Sequence, residues 1–179
     1  MRIALTGAHS TGKTTLLERL KEERIFKTYT FITEITRSVM NKGHSINEEG
    51  GDTTQLLIME SHSSNLTYEN SIMDRCFLDG IVYTDYLHQK GKVSLGVFEE
   101  SLKLFQHNVK KYDKLFYIIP EVDLKEDGVR SSNLLFRQQI VELFEFYISF
   151  YQLPVIYVSG SLEERTNQII SNLGEVDEI

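Results

Sequence analysis

The sequence predicts an α/β fold with three layers, in which a five-stranded parallel sheet has helices on both faces. Three observations indicate this architecture. Short apolar runs alternate with longer segments of helical periodicity along the whole chain. A glycine-rich loop joins the first apolar run to the first helical segment. The two prolines, Pro120 and Pro154, stand at the edges of predicted strands, where proline is tolerated.

The predicted elements follow one another in this alternating order. The first strand contains Ile3, Ala4 and Leu5, and the first helix has Leu16, Leu17 and Leu20 at helical spacing. In full, strands are predicted at residues 2–6, 29–33, 71–74, 114–119 and 154–159. Helices are predicted near residues 13–24, 34–42, 47–68, 77–89, 97–109, 133–151 and 162–173. With 179 residues and no repeat, linker or low-complexity tract, residues 1–179 are predicted to form one domain.

Composition and charge narrow the classes of function. A net charge of −7 argues against a broad nucleic-acid surface but leaves a local basic groove open. The single cysteine, Cys76, excludes an intrachain disulfide framework, and no Cys/His spacing typical of a metal site occurs. The first strand begins at once, which leaves no room for a signal peptide, and no apolar run approaches the ~20 residues of a membrane span. We therefore expect a cytoplasmic protein that acts on a small molecule without membrane association.

Residues 7–14, GAHSTGKT, form a complete GxxxxGK[ST] phosphate-binding loop. Gly7 and Gly12 let backbone N–H groups converge on a phosphate, and the N-terminus of the following helix adds its positive dipole end. Lys13 is predicted to reach the β and γ phosphates of ATP, and the Thr14 hydroxyl to ligate Mg²⁺. The predicted ATP site also includes Ser10, Thr11 and Thr15. The alternative is a glycine-rich turn that binds nothing.

A phosphate-binding loop serves kinases, GTPases and motor ATPases, so other segments must discriminate among them. The chain has no NKxD guanine-reading motif, and the fourth strand, KLFYIIP, is not followed by the Asp-Glu pair of helicase-like ATPases. Both absences favour a small kinase, which holds an acceptor in line with the γ-phosphoryl group under a closing lid. Residues 43–53 and 121–132 are polar and contain glycine, and each is predicted to be either a lid or a plain solvated connection.

Charged residues follow the second and third predicted strands. Glu34 and Arg37 stand three apart at the start of a helix, where the carboxylate can orient or deprotonate an acceptor hydroxyl, or simply satisfy the helix dipole. Asp74 can hold Mg²⁺ or act as the base, and Arg75 can clamp a phosphate, unless the two form an ordinary ion pair. We expect Glu34 and Asp74 on opposite sides of the first strand, and the sequence leaves open which of them is the base.

Three further groups of residues have weaker signals. His9 occupies a variable position of the loop and is expected to face solvent. The helix that carries Gln55, Met59 and His62 can line the acceptor pocket or serve as core and surface. The aromatic residues within 136–151 have helical spacing and are interpreted as packing.

Several segments together resemble the NadR-type AAA family. They are the loop GAHSTGKT, the segments TEITR and IMDR, the run from PEVD to DGVR, the pair FR at 136–137, and VSGSLEER at 158–165. This family is a P-loop kinase-like group that includes the ribosylnicotinamide kinase domain of NadR, and the resemblance covers essentially the whole chain. The sequence is also more distantly similar to thymidylate and deoxynucleoside kinases, in which the third strand ends in Asp-Arg or Glu-Arg.

The resemblance implies a P-loop NTPase fold and a role for each matching residue. The residues implied to bind the triphosphate are Gly7, Gly12, Lys13 and Thr14. Asp74 would belong to the catalytic centre, Glu34 and Arg37 would face the acceptor, and Arg130 and Arg137 would be lid arginines over the phosphates. Residues 160–163 would lie near the adenine.

One departure from the family concerns the acceptor. NadR domains carry an Asp-Thr-Asp type strand end where this chain has Asp74-Arg75-Cys76, which moves the expectation from nicotinamide riboside toward the acceptors of nucleotide kinases. The expected activity is transfer of the γ-phosphoryl group of ATP to a nucleoside or nucleotide, with Mg²⁺. The alternatives are a non-catalytic regulatory nucleotide-binding protein and a kinase acting on a polynucleotide end or a modified DNA base.

Overall fold

A computed structural model describes residues 1–33, 35–121 and 133–174. Its sheet contains β1 (Arg2–Thr6), β2 (Thr30–Ile32), β3 (Ser71–Asp74), β4 (Lys114–Ile118) and β5 (Val155–Val158). All strands are parallel, in the order β2-β3-β1-β4-β5. The predicted α/β class and the five parallel strands are confirmed.

The helices of the described residues lie between these strands. They are α1 (Lys13–Lys21), α2 (Ile35–Asn41), α3 (Asp52–Asn65), α4 (Phe77–Gln89), α5 (Leu95–Asn108), α6 (Leu134–Phe150) and α7 (Leu162–Ser171). None of them is both long enough and apolar enough to cross a membrane. The helix predicted from residue 47 begins only at Asp52, because Gly50 and Gly51 are extended and interrupt it. Two adjacent glycines favour such a break, since a helix gains little from them.

The core is divided between the two faces of the sheet, as the strand pattern requires. In β1, Ile3 and Leu5 pack with Leu16 and Leu20 of α1, whereas Ala4 belongs to a larger cluster with residues of α4, α5 and α6. Successive side chains of a strand point to opposite faces, so a strand buried on both faces is apolar throughout. The helices thus cover both faces, and the carboxyl ends of the strands meet at one edge.

The expected placement of the strand ends was wrong in one respect. β2 and β3 are neighbours, but both lie on the same side of β1, whose other neighbour is β4. Strand order depends on which crossovers the helices make, and the sequence of a single strand does not encode it. In open α/β sheets a ligand site lies outside the carboxyl ends where the strand order reverses. Here that point is the end of β1, where the glycine-rich loop begins.

Candidate functional site

The phosphate loop, residues 7–14, connects β1 to α1 with a backbone that needs glycine. Gly7 has a φ of 136° and Gly12 a φ of 84°, values that side chains strongly disfavour. A Cβ atom on Gly7 would lie 2.9 Å from the carbonyl oxygen of Ile118 in β4, which is closer than van der Waals contact allows. Gly7 therefore has to be glycine for the loop to pass beside the sheet.

Lys13 begins α1, and its ammonium is held inside the phosphate loop. Its Nζ donates hydrogen bonds to the carbonyls of Gly7 (2.8 Å) and Ala8 (2.6 Å) and to the hydroxyl of Thr11 (3.1 Å). The side chain is buried, at 4% exposure. A buried cation beside the N-terminus of α1 favours the binding of an anion at this loop.

Thr14 and Asp74, the two predicted Mg²⁺ ligands, are in direct contact. The Thr14 hydroxyl donates a 2.7 Å hydrogen bond to Asp74 Oδ2. The pairing of β1 with β3 sets this contact, since Asp74 stands opposite Leu5 in the parallel ladder. A hydroxyl and a carboxylate oxygen beside a phosphate loop are hard donors of the kind that Mg²⁺ prefers, so these residues fit the ion.

Arg75 is fixed by a buried carboxylate at the start of α4. Its Nη1 lies 3.3 Å from Asp79 Oδ1, and its guanidinium carbon is 5.3 Å from the centre of the Tyr83 ring. Arg75 also adopts a φ of 83°, a conformation that costs a residue other than glycine about 1 kcal/mol or more. The geometry therefore pre-organises the guanidinium at the end of β3.

Asp79 is the anchor of this arrangement. Its Oδ2 accepts hydrogen bonds from the Thr6 hydroxyl (2.7 Å) and the Cys76 amide (3.0 Å). Burial raises the pKa of Asp79, whereas the charges of Arg75 and Lys13 act in the opposite direction. Asp79 thus links the ends of β1 and β3 to the first turn of α4.

Two adjoining pockets surround these residues. The phosphate pocket is lined by loop residues 10–14 and by Ile35, Thr36, Arg37, Asn47, Asp74 and Arg75. The inner pocket shares Thr36, Asn47 and Arg75 with it and continues between α3 and α4, where it is lined by Gln55, Ile58, His62, Asp79, Gly80 and Tyr83. The shared residues place the inner pocket directly beside the phosphate pocket.

Arg165 joins the phosphate loop to the ends of two strands, a connection that sequence reasoning missed. Its guanidinium donates to the carbonyls of Thr11 and Gly160, both at 2.7 Å, and to Glu121 Oε2 at 3.0 Å. The Gly160 amide donates to the same Glu121 oxygen at 2.7 Å. The hydrogen bond from the Gly160 N–H lowers the pKa of Glu121, and the hydrogen bond from Arg165 lowers it further. The available signal was the position of Arg165 in the first turn of a helix after the last strand.

His9 is buried, so the expectation that it faces solvent was wrong. Only 1% of it is exposed, because its ring stacks on Phe136 of α6 at a centroid distance of 4.9 Å. Its backbone N–H donates to the Tyr83 hydroxyl at 3.0 Å. The loop turns this side chain toward α6 rather than outward. Phe136 is core, as predicted, and the next residue, Arg137, is also buried.

The predicted site residues are placed as follows. Those that line the phosphate pocket are Ser10, Thr11, Gly12, Lys13, Thr14, Arg37, Asp74 and Arg75. Gly7 starts the loop. Thr15 is exposed, and neither it nor Arg137 is among the described residues that line this pocket. Glu34, Arg130 and nearly all of the second candidate lid lie outside the described residues. Asn47, Tyr83 and Arg165 were not predicted.

The fold and the loop define a P-loop kinase-like protein, and comparison with known proteins agrees. The family model described as AAA domain (AAA_28) matches residues 2–165. The chain belongs to this family, and the resemblance to a NadR-like P-loop kinase group is confirmed. No curated protein sequence matches the chain.

Solved kinase structures share the fold at low sequence identity. Deoxyadenosine kinase from M. mycoides, with the products dCMP and dCDP bound, has a TM-score of 0.72 at 16% identity, covering 98% of this chain and 100% of that one. The NadR protein in complex with NR has a TM-score of 0.74 at 17% identity, covering 99% of this chain but 52% of that one. The YorR protein of Bacillus subtilis, in complex with phosphorylated GDP, has a TM-score of 0.62 at 20% identity, covering 96% of this chain and 94% of that one. The chain thus has a nucleoside or nucleotide kinase-like fold and spans about half the length of NadR.

Proposed function

We propose that the protein is an ATP-dependent phosphotransferase that transfers the γ-phosphoryl group of ATP to a nucleoside or nucleotide. One observation carries this proposal: a phosphate loop with its Thr14–Asp74 contact directly adjoins a second pocket through shared residues. A kinase needs this arrangement, because donor phosphates and acceptor must lie side by side for in-line transfer.

Each group of the phosphate pocket has a proposed role. The loop N–H groups and Lys13 would bind the β and γ phosphates, and the loop residues Ser10 and Thr11 would complete the cradle. Thr14 and Asp74 would hold Mg²⁺, which neutralises phosphate charge when bound. Placing these charges before the reaction lowers the cost of the charge that develops on the transferred oxygens.

The acceptor side would be served by the ends of β2 and β3. For a hydroxyl acceptor, a carboxylate at Asp74 or Glu34 takes the hydroxyl proton while the acceptor oxygen bonds to the γ phosphorus and the bond to ADP breaks. For a monophosphate acceptor, the attacking oxygen is already ionised, and Arg37 and Arg75 would bind its phosphate. Arg130 is proposed as a lid arginine over the transferring group.

A turnover screen with ATP tests the proposal. Nucleosides, nucleoside monophosphates, nicotinamide riboside and DNA with free 5′ ends are each incubated with labelled ATP and Mg²⁺, and transfer of the label is measured. We expect transfer to at least one nucleoside or nucleotide, abolished in Lys13→Ala. Tight ATP binding without transfer to any acceptor would contradict the proposal and favour a regulatory nucleotide-binding protein. Transfer to DNA alone would favour a polynucleotide kinase.

A further inference from the structure

His62 is a buried histidine whose ring has no hydrogen bond to any of the described residues. It lies in α3 at 1% exposure, and neither Nδ1 nor Nε2 has a partner there. A buried polar group without a partner costs about 1–3 kcal/mol, and native structures keep few of them without a reason. A ligand that completes these hydrogen bonds is one such reason.

The packing of α3 against α4 places this ring at the inner pocket. Gly80 of α4 makes the approach possible, since a Cβ atom there would meet the Met59 sulfur and lie 3.4 Å from His62 Cδ2. The His62 ring also stands 5.6 Å from the Phe77 ring, which holds it from the side of the core. His62 therefore lines the pocket on a rigid helix and not on a loop.

Gln55 lines the same pocket two helical turns before His62. Its Oε1 lies 3.0 Å from the hydroxyl of Thr84 in α4. That contact holds the carboxamide in place against α4. The two side chains together offer fixed hydrogen-bonding groups along one wall of the pocket.

The charges around the inner pocket fit an uncharged ligand. Of the described residues that line it, Arg75 and Asp79 are charged, and they form an ion pair with each other. Burial and the Arg75 charge lower the pKa of His62 to about 3, so near neutral pH its imidazole offers one donor and one acceptor. Ile58, Gly80 and the Tyr83 ring supply apolar surface for a flat ring system.

We propose that His62 is a specificity-determining residue of the acceptor site, hydrogen-bonded to the polar edge of an uncharged heteroaromatic ring such as the base of a nucleoside. This inference rests on the proposed function, because it takes the inner pocket as the acceptor's place. The base would lie between α3 and α4, and the sugar would extend past Arg75 toward the phosphate pocket. A phosphate in the inner pocket would lie close to the buried carboxylate of Asp79, and the repulsion between the two negative charges disfavours that position.

The kinetic test compares His62→Leu and His62→Gln with Met59→Leu, a buried control on the same helix that is outside the described lining of the pocket. Acceptor KM, ATP KM and kcat are measured for the four ribonucleosides and their deoxy forms. His62→Leu is expected to raise acceptor KM on the order of tenfold for the preferred nucleoside and to flatten the preference among bases, with ATP KM unchanged. His62→Gln should restore part of the preference, and Met59→Leu should keep all of it. An unchanged order and unchanged KM values in His62→Leu would overturn the inference.

A binding measurement on the unaltered chain keeps the inference testable if a variant fails to fold. The chain has five histidines, so an imidazole ¹⁵N spectrum is sparse, and contacts to the Phe77 ring protons identify His62. The same nucleosides should shift the His62 nitrogen signals, whereas ATP alone should not. If the chain transfers phosphate to no acceptor, the proposed function fails, but a nucleoside that shifts these signals still supports the pocket assignment. No shift with any nucleoside overturns it.

Discussion

Arg165 of α7 donates a 2.7 Å hydrogen bond to the carbonyl of Thr11 in the phosphate loop, across 154 positions of sequence. The same guanidinium bonds Gly160 at the end of β5 and Glu121 after β4. One buried side chain therefore holds the loop in register with the neighbouring strand ends. A fork of N–H donors can make these contacts at once, which a lysine ammonium does less well.

We predict that Arg165→Ala weakens ATP binding and lowers the free energy of unfolding. The Thr11 carbonyl loses its charged donor, and the loss of a hydrogen bond to a charged group costs about 1.5–3 kcal/mol. Arg165→Lys should recover only part of the ATP affinity. Calorimetric ATP titration and urea unfolding measure the two effects. The control is Arg19→Ala, a more exposed arginine of α1 that pairs with glutamates. Equal ATP affinity in Arg165→Ala and the unaltered chain would show that the contact does not position the loop.

Lys13→Ala should leave the fold intact and remove phosphate transfer. The hydrogen bonds of the ammonium to Gly7, Ala8 and Thr11 lie within the loop, and a charged group adds nothing to the hydrophobic core, so we expect the core to persist without it. Loss of such a preorganised charge lowers turnover by about 10²-fold or more. Lys21→Ala at the end of the same helix is the control, since Lys21 pairs with Glu18 on the surface. Near-normal transfer by Lys13→Ala would contradict the assignment of the triphosphate site.

Thr14→Ala should increase the Mg²⁺ concentration needed for half-maximal activity. The substitution removes one of the two oxygens that meet at 2.7 Å, whereas Thr14→Ser keeps it. Metal titrations of transfer at saturating ATP distinguish the variants. Asp74→Asn should act in the same direction and more strongly, because it removes a charge. Superimposable titrations of Thr14→Ala and Thr14→Ser would argue against a metal at this pair.

Arg130→Ala should lower turnover much more than ATP affinity. A lid arginine stabilises the negative charge that develops on the oxygens of the phosphoryl group during transfer. Such cations contribute about 10³-fold or more to kcat. Pre-steady-state transfer and equilibrium ATP binding separate the two quantities. Arg24→Ala, outside both pockets in the described residues, is the control. A parallel loss of binding and turnover would instead place Arg130 in the ground-state ATP site.

The stability of the protein should fall between pH 6.5 and pH 4 in part through His62. The pKa of His62 is lowered from 6.5 to about 3 in the fold, so on acidification the unfolded chain binds a proton that the folded chain does not. The free energy of unfolding therefore decreases with falling pH, by up to about 1.4 kcal/mol per pH unit for one such group. About one pH unit above 6.5 the imidazole is neutral in both states, and the effect vanishes.

Urea unfolding at pH 7, 6, 5 and 4 measures this dependence. His62→Gln should reduce the slope, because glutamine has no proton to gain. The groups around the His62 ring are Phe77 from α4 and, at the inner pocket, Arg75, Asp79 and Tyr83. Burial raises the pKa of Asp79, so protonation of this carboxylate also contributes to the pH dependence. Asp79 is present in both His62→Gln and the unaltered chain, so its contribution cancels when their slopes are compared. Identical slopes for His62→Gln and the unaltered chain would contradict the lowered pKa.

Local patterns in the sequence were enough for the fold class and for the core of the phosphate site. Gly7, Gly12 and Lys13 act through backbone conformation and spacing within one loop, which the order of residues encodes directly. The alternation of short apolar runs with helical periods likewise reports burial on both faces of a parallel sheet. Thr14 and Asp74 were predicted separately as Mg²⁺ ligands, and the pairing of β1 with β3 in the structure brings them into contact.

Only the tertiary structure decided the contacts that join distant segments. It placed β2 and β3 on one side of β1, buried His9 against Phe136, and brought Arg165 to Thr11. These features depend on which helix crosses which face of the sheet and on how closely two helices can pack. That choice is made by the summed packing of many side chains, so no local segment of the sequence contains it.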